Sequence, residues 1–303
     1  MGRRRPGMPD AMTAGRPMLM LTADDYAMTS GVSRAIRELA DLGALSATSV
    51  MTTGAHWPAH AAQIAARRDR LAVGLHFNLT LGAPLGTMPD LAPGGRLPTL
   101  GDLVARALKC AIETSEIAAE LGRQLDAFEA AIGHPPDHVD GHQHVHALPG
   151  IGPAVAEMLA FRYRERPPLV RNPADRVGRI LARRTALAKA LGVAWLGRGF
   201  AATLAAAGLP SNDSFAGITD FAVQRTRADL DRALLARGNL HLVMCHPGYP
   251  DEELARIDPV TGRRLAELEL LRRPEGPRGE VWRPERAVDG PPIDWRQLVQ
   301  RRP

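Results

Sequence analysis

The sequence predicts a parallel α/β sheet or barrel in one domain. Three observations point there. Short apolar runs alternate with amphipathic helical patterns over about 270 residues. Four of the apolar runs end in acids or histidines, the pattern of a barrel whose strand ends share one face. No linker or repeat divides the chain, and its 303 residues, 45% of them hydrophobic, suffice for a large core.

Met18–Thr22 is a short apolar run and the expected first strand. Ser30 is the expected N-cap of a helix, because Val32, Ala35, Ile36, Leu39, Ala40 and Leu42 fall near helical spacing and Gly43 follows as a stop. Ala44–Thr53 is β-branched and reads as a second strand, Trp57–Arg68 as a helix, and Leu71–Leu75 as a third strand. Residues 82–98 are rich in Gly and Pro and form a long loop, a lid or a substrate-binding segment. Ile117, Leu121, Leu125, Phe128 and Ile132 make one helical stripe closed by Gly133. Pro135–Asp140 leads into a fourth strand. Ile151–Phe161, Asp175–Leu191 and Thr226–Ala236 read as helices, Leu169–Arg171 and Val193–Leu196 as short strands, and Leu240–Cys245 as a buried strand. From Arg273 the chain is rich in Pro and Arg and reads as irregular.

Composition narrows the function classes. The net charge is +5, but residues 1–16 and 272–303 each carry +3, which leaves the body at −1. A near-neutral body and only 4% aromatic residues argue against a nucleic-acid surface. Cys110 and Cys245 are the only cysteines, so no disulfide framework is expected, and reduced thiols fit a cytoplasmic protein. No run reaches the ~18 apolar residues of a membrane span. Residues 1–17 are basic but are interrupted by Pro6, Pro9, Asp10 and Pro17, so a disordered arm is expected rather than a signal peptide. Trp57, Trp195, Trp282 and Trp295 are expected to pack rather than to form a sugar platform.

The chemistry sits in four segments: MLMLTADDY with Asp24 and Asp25, LAVGLHFNL with His76 and Asn78, HVDGHQHVH with Asp140, His142, His144 and His146, and LHLVMCHPG with His246. Two carboxylates at one site suit separate jobs, one holding a cation and one taking a proton. Neighbouring strand residues face opposite ways, so Asp24 and Asp25 share a site only where the chain turns. The even spacing of Asp140, His142, His144 and His146 puts them on one side of an extended chain, and neutral imidazole is a common ligand for divalent metals. One or two of them would bind metal and the others would touch substrate or support the ligands. Cys245 faces away from its neighbour His246 and reads as core. Arg171, at a strand end, could position a carboxylate or bind substrate, and Asn78 is a substrate-binding candidate.

TADDY at 22–26, GLHFNLT at 74–80, VDGHQHVH at 139–146 and VMCHPGY at 243–249, in that order, resemble the YdjC/ChbG/HpnK family of carbohydrate deacetylases. The resemblance covers roughly 18–272, with 273–303 as a tail outside it. It implies a distorted TIM-like barrel related to NodB-type polysaccharide deacetylases. It also implies one divalent metal ion (Mg or Zn, with Mn, Co or Ni as alternatives) and removal of acetyl from an N-acetylated sugar. By position, Asp25, His76 and His142 match the metal ligands and Asp24 the base acting on water at the metal. His246 is assigned as general acid. His144, His146, Arg171 and Asn78 are left for substrate. A chito-oligosaccharide or a lipid-linked N-acetylglucosamine fits a cytoplasmic enzyme, and a homodimer is a mild expectation. Another metal hydrolase, such as a phosphoesterase, or a non-catalytic sugar- or metal-binding protein are the competing readings. A phosphoesterase would need a second metal or a cationic phosphate cradle.

Overall fold

The computed structural model describes residues 17–300 apart from 236 and 259; the expected N-terminal arm lies almost wholly outside them. Seven strands, all parallel, form one curled sheet in the order β5-β4-β3-β2-β1-β7-β6. They are β1 (Met18–Tyr26), β2 (Ala47–Val50), β3 (Ala72–Phe77), β4 (His138–Gly141), β5 (Leu169–Val170), β6 (Ser214–Ala216) and β7 (Leu240–Cys245). A single bridge, Val170 to Ser211, and the Val170 amide donating to the Pro210 carbonyl at 2.8 Å draw the two edges together. The architecture is therefore the expected distorted barrel, with seven strands and a thin seam.

The crossovers carry helices α1 (Ser30–Asp41), α2 (Trp57–Ala65), α3 (Leu100–Leu108), α4 (Thr114–Ile132) and α5 (Ile151–Arg162). They continue with α6 (Val177–Arg183), α7 (Leu187–Leu196), α8 (Phe200–Ala206), α9 (Thr226–Ala233), α10 (Glu252–Ile257), α11 (Thr261–Arg272) and α12 (Trp295–Gln300). None of the described helices is long and apolar enough to cross a membrane.

Strand alternation sorts the core into two clusters. On β1, Leu19, Leu21 and Ala23 join the large cluster beneath the helices, whereas Met18 and Met20 point into the barrel beside Ala47, Ala72, Leu169, Phe215, Leu240, Leu242 and Met244. Carried upward, the inward series becomes polar: Asp24 on β1, Ser49 on β2, His76 on β3, His138 and Asp140 on β4. The next inward positions past β5 and β7 are Arg171 and His246. Gly74 belongs to the same series, and a Cβ there would meet the His138 carbonyl and ring at 2.4–2.5 Å, so only glycine leaves room for that histidine. Cys245 faces the helices, as expected for core.

Several boundaries differ from the sequence reading. β1 runs on to Tyr26, past the acids. Thr29, not Ser30, caps α1, accepting from the Val32 amide. Residues 82–98 are irregular as expected but not loose: Met88, Leu91, Ala92 and Leu97 are buried, and the amides of Leu85, Asp90 and Leu91 donate to Glu120 and Glu116 of α4. The expected helix 175–191 breaks at Arg184 and Ala186, both at positive φ, and Val193–Leu196 is the last turn of α7 rather than a strand. Val and Trp favour strands locally, but the helical ladder continues through them to the Gly197 amide. α3, α8 and the three-residue β6 gave no pattern long enough to be read.

The C-terminal residues are tied to the barrel floor. Trp295 is wholly buried, its indole N–H donates to the Asp137 carbonyl at 2.5 Å, and its ring lies 5.2 Å from that of Trp282. Arg286 clamps the Asp137 carboxylate through both terminal nitrogens at 2.6 and 2.5 Å. Trp57 packs on Phe128, but Trp195 is 52% exposed and so departs from the packing role expected of it.

Candidate metal and catalytic site

A bulge makes room for two aspartates. The pairing of β1 with β2 slips between Ala23 and Tyr26, and Asp25 sits at φ 68°. That left-handed residue breaks the strand alternation, so adjacent carboxylates both reach the barrel mouth. Asp24 then meets Arg171, and Asp25 meets His76 and His142.

Asp25 Oδ1 lies 3.3 Å from His76 Nε2 and 3.0 Å from His142 Nδ1. Donors about 2.1 Å from one cation sit roughly 3.0–3.5 Å apart, so this trio fits a divalent ion. One carboxylate oxygen and two imidazole nitrogens suit Zn and are compatible with harder ions. Burial opposes ionisation of Asp25, but Arg264 and His142, with hydrogen bonds from His142 and His76, hold its carboxyl well below the usual range. His76 Nδ1 is 2.6 Å from Asp140 Oδ1, which aims Nε2 at the trio. Burial disfavours its imidazolium, yet Asp140, Asp24 and Asp25 push it up to about 10 in the metal-free protein. The cost of that proton is part of what a metal ion would have to displace.

A second group of acids and histidine, Asp24, His76 and Asp140, also converges. Its positive charge is already supplied. Arg171 donates to both Asp24 oxygens at 2.6 Å and pairs with Asp140, whose Oδ2 also accepts from Ser49 at 2.6 Å. Arg171 is only 1% exposed and sealed beneath the site, where it positions the Asp24 carboxylate, one of the two roles the sequence left open for it, rather than meeting substrate. Its planar fork fixes the orientation of the Asp24 carboxylate.

The HQHVH stretch is not extended. Residues 142–147 form a 3-10 turn, with Gln143 and His144 at positive φ. The even-spacing expectation therefore fails after Gly141, and the three histidines part. His142 joins Asp25. His146 is buried against the Arg171 carbonyl at 2.7 Å, and burial lowers it to about 4. His144 packs edge-on against Phe215 at 5.5 Å, and its Nδ1 has no partner among the described residues. Asn78 is saturated: its side chain accepts from the Thr80 and Leu81 amides and donates to Thr53 and the Leu81 carbonyl. It shapes the turn after β3 and offers nothing to a ligand. His246 has its amide fixed to Glu267 at 2.6 Å and its ring edge-on to Phe221; burial lowers it, against the pull of Asp25 and Asp24.

Sequence reasoning missed Arg264 of α11. It donates to Asp25 Oδ2 at 2.5 Å and to Asp258 at 2.6 Å, and it is buried. It occupies the second oxygen of Asp25 and leaves the first for the histidines. Arg263 and Arg264 are both buried, and no local pattern in the sequence marks them.

The pattern of the family described as YdjC-like protein matches residues 18–278. The chain belongs to the YdjC-like family. Similar curated proteins include the chitooligosaccharide deacetylase of Klebsiella pneumoniae subsp. pneumoniae, 35% identical over 255 residues covering 84% of this chain and 90% of that one. The Proteus mirabilis protein of the same name is 33% identical over 261 residues, with the same shares covered. Among solved structures, a putative cellobiose-phosphate cleavage protein from Enterococcus faecalis V583 superposes with a TM-score of 0.67 at 18% identity, covering 94% of this YdjC-like chain and 99% of the other. That likeness shows the shared fold.

Proposed function

We propose that the protein is a metal-dependent hydrolase that removes the acetyl group from an N-acetylated amino sugar, with short chito-oligosaccharides or lipid-linked N-acetylglucosamine as the substrate class. The observation that carries this reading is the trio Asp25, His76 and His142 set beside a separate, Arg171-clamped Asp24. The curated relatives named chitooligosaccharide deacetylase support it.

Asp25 Oδ1, His76 Nε2 and His142 would hold one divalent ion. Such an ion polarises a carbonyl and lowers the pKa of a bound water towards about 7. The remaining work falls to the chain. Asp24, held by Arg171 through two hydrogen bonds, is the base that accepts the proton of the attacking water. The guanidinium fixes its direction. Asp140 holds His76 in one ring orientation. Burial makes the His246 imidazolium a stronger acid; protonated from solvent before the attack, it gives that proton to the departing amine nitrogen, and Asp24 then releases the water's proton to solvent, which restores both groups. Proton transfer of this kind is worth about 10²–10⁴ in rate. His144, whose Nδ1 is unengaged among the described residues, is assigned to substrate.

The test is acetate release from diacetylchitobiose by chelated protein, with and without Zn, Mg, Mn, Co or Ni. Metal-dependent acetate is expected. Metal binding with no acetate from any N-acetylated sugar would leave a binding protein, and phosphate release from ester substrates would move the reading to a phosphoesterase.

A further inference from the structure

Residues 176–212 carry six cations, Arg176, Arg179, Arg183, Arg184, Lys189 and Arg198, and no acid. Arg179 and Arg183 pair with Asp175, and Arg183 is buried, so the outward charge rests on Arg176, Arg184, Lys189 and Arg198, on α6 and α7 and the turns around them. The same helices leave apolar side chains in water. α7 reads LAKALGVAWL, yet Ala190 is its only buried residue. Leu187, Leu191 and Trp195 are spaced by four and form one exposed stripe along it. Val177, 56% exposed, and Leu181 make a matching pair on α6. A helix this apolar is normally buried, and a contiguous exposed patch marks an interaction surface.

The flanking charges indicate the partner. Arg176 and Arg184 have no acid within ion-pair reach among the described residues, and the Arg198 guanidinium lies 4.3 Å over the Trp195 ring. Aliphatic stripes, an amphipathic Trp and bordering arginines are the composition of helices that lie in a bilayer interface. Two copies of the chain meeting through this face would oppose like charges. A nucleic acid would leave the leucines unused. The α7 part of the patch borders the site end of the barrel. The patch follows directly from β5 and Arg171; Lys189 lies 4.2 Å over the Phe221 ring, and that ring meets His246.

We propose that the α6–α7 face is a docking surface for anionic lipid bilayers and holds the barrel mouth towards the membrane. This does not depend on the deacetylase reading, because it is read by binding without turnover.

The test is co-sedimentation of the full chain with vesicles of phosphatidylcholine, alone or mixed with phosphatidylglycerol. Binding to the mixed vesicles is expected to exceed binding to the neutral ones about ten-fold or more, and to weaken with added salt. Both Arg176→Glu/Arg184→Glu and Leu191→Ser/Trp195→Ser should lower it by about ten-fold with the melting temperature unchanged. Equal binding to both vesicle types overturns the proposal. So does vesicle binding that survives both variants, which would locate it on the N-terminal arginines. A concentration-dependent dimer that the variants abolish, without vesicle binding, would assign the face to a second copy.

Discussion

Asp24 and Asp25 are chemically alike and adjacent, and their neighbours alone divide their roles. Asp24 is spoken for by Arg171 and Asp25 by two imidazoles and Arg264. Asp24→Asn preserves the hydrogen-bonding shape but not the base, so turnover should fall by about 10²–10⁴ with metal content intact by elemental analysis. Loss of metal instead would exchange the two roles. Arg264→Met frees the second oxygen of Asp25 and removes its orientation; metal affinity by calorimetry should drop by about 10–100-fold, with no comparable effect expected from a surface arginine such as Arg256. The members of the Asp25, His76 and His142 trio were legible because their types and order are specific. Arg264 and Ser49 were not, because their role arises from a long-range approach, 239 residues in the first case. Arg171, Asn78 and His146 were picked out correctly as unusual, yet each is engaged within the protein, since a polar side chain at a strand end can serve the scaffold as well as a ligand.

β7, the strongest apolar run, matches its expected bounds, whereas β1, β2 and β3 were located but their ends missed by up to four residues. Elements specified by tertiary context were not: β6 has three residues, and the helix expected over 175–191 splits where Arg184 and Ala186 adopt left-handed conformations. The bulge in β1 could be stated only as a requirement, because its cause lies in the pairing with β2. The tail from Arg273 read as irregular by composition, and it brings Trp295 to the barrel floor. Trp295→Ala should cost about 3–5 kcal/mol, seen as a lowered denaturant midpoint, while any metal affinity of the Asp25, His76 and His142 trio at the opposite end should be unchanged. An unchanged midpoint would show the tail to be an appendage.

For the molecule as a whole, buried histidines set the acid limit. Burial lowers His241, which bonds Ser214 and the Ala233 carbonyl, and His146, each to about 4. The unfolded chain binds these protons near pH 6.5 and the folded one does not, so stability is complete above that pH and falls as pH drops towards 4. Roughly 2–3 kcal/mol per histidine is at stake over that interval, measurable as a falling melting temperature that His241→Gln should partly flatten.

The central position of β1 has a consequence for synthesis. One flank of that strand pairs with β2 and the other with β7, whose residues follow it by 222 positions. At about 5–20 residues per second, the ribosome leaves that flank open for some 10–40 seconds after the first strand emerges. Until Leu240–Cys245 is made, the nascent chain exposes an apolar ribbon with a free hydrogen-bonding edge, and chaperone capture and aggregation compete for it over that interval.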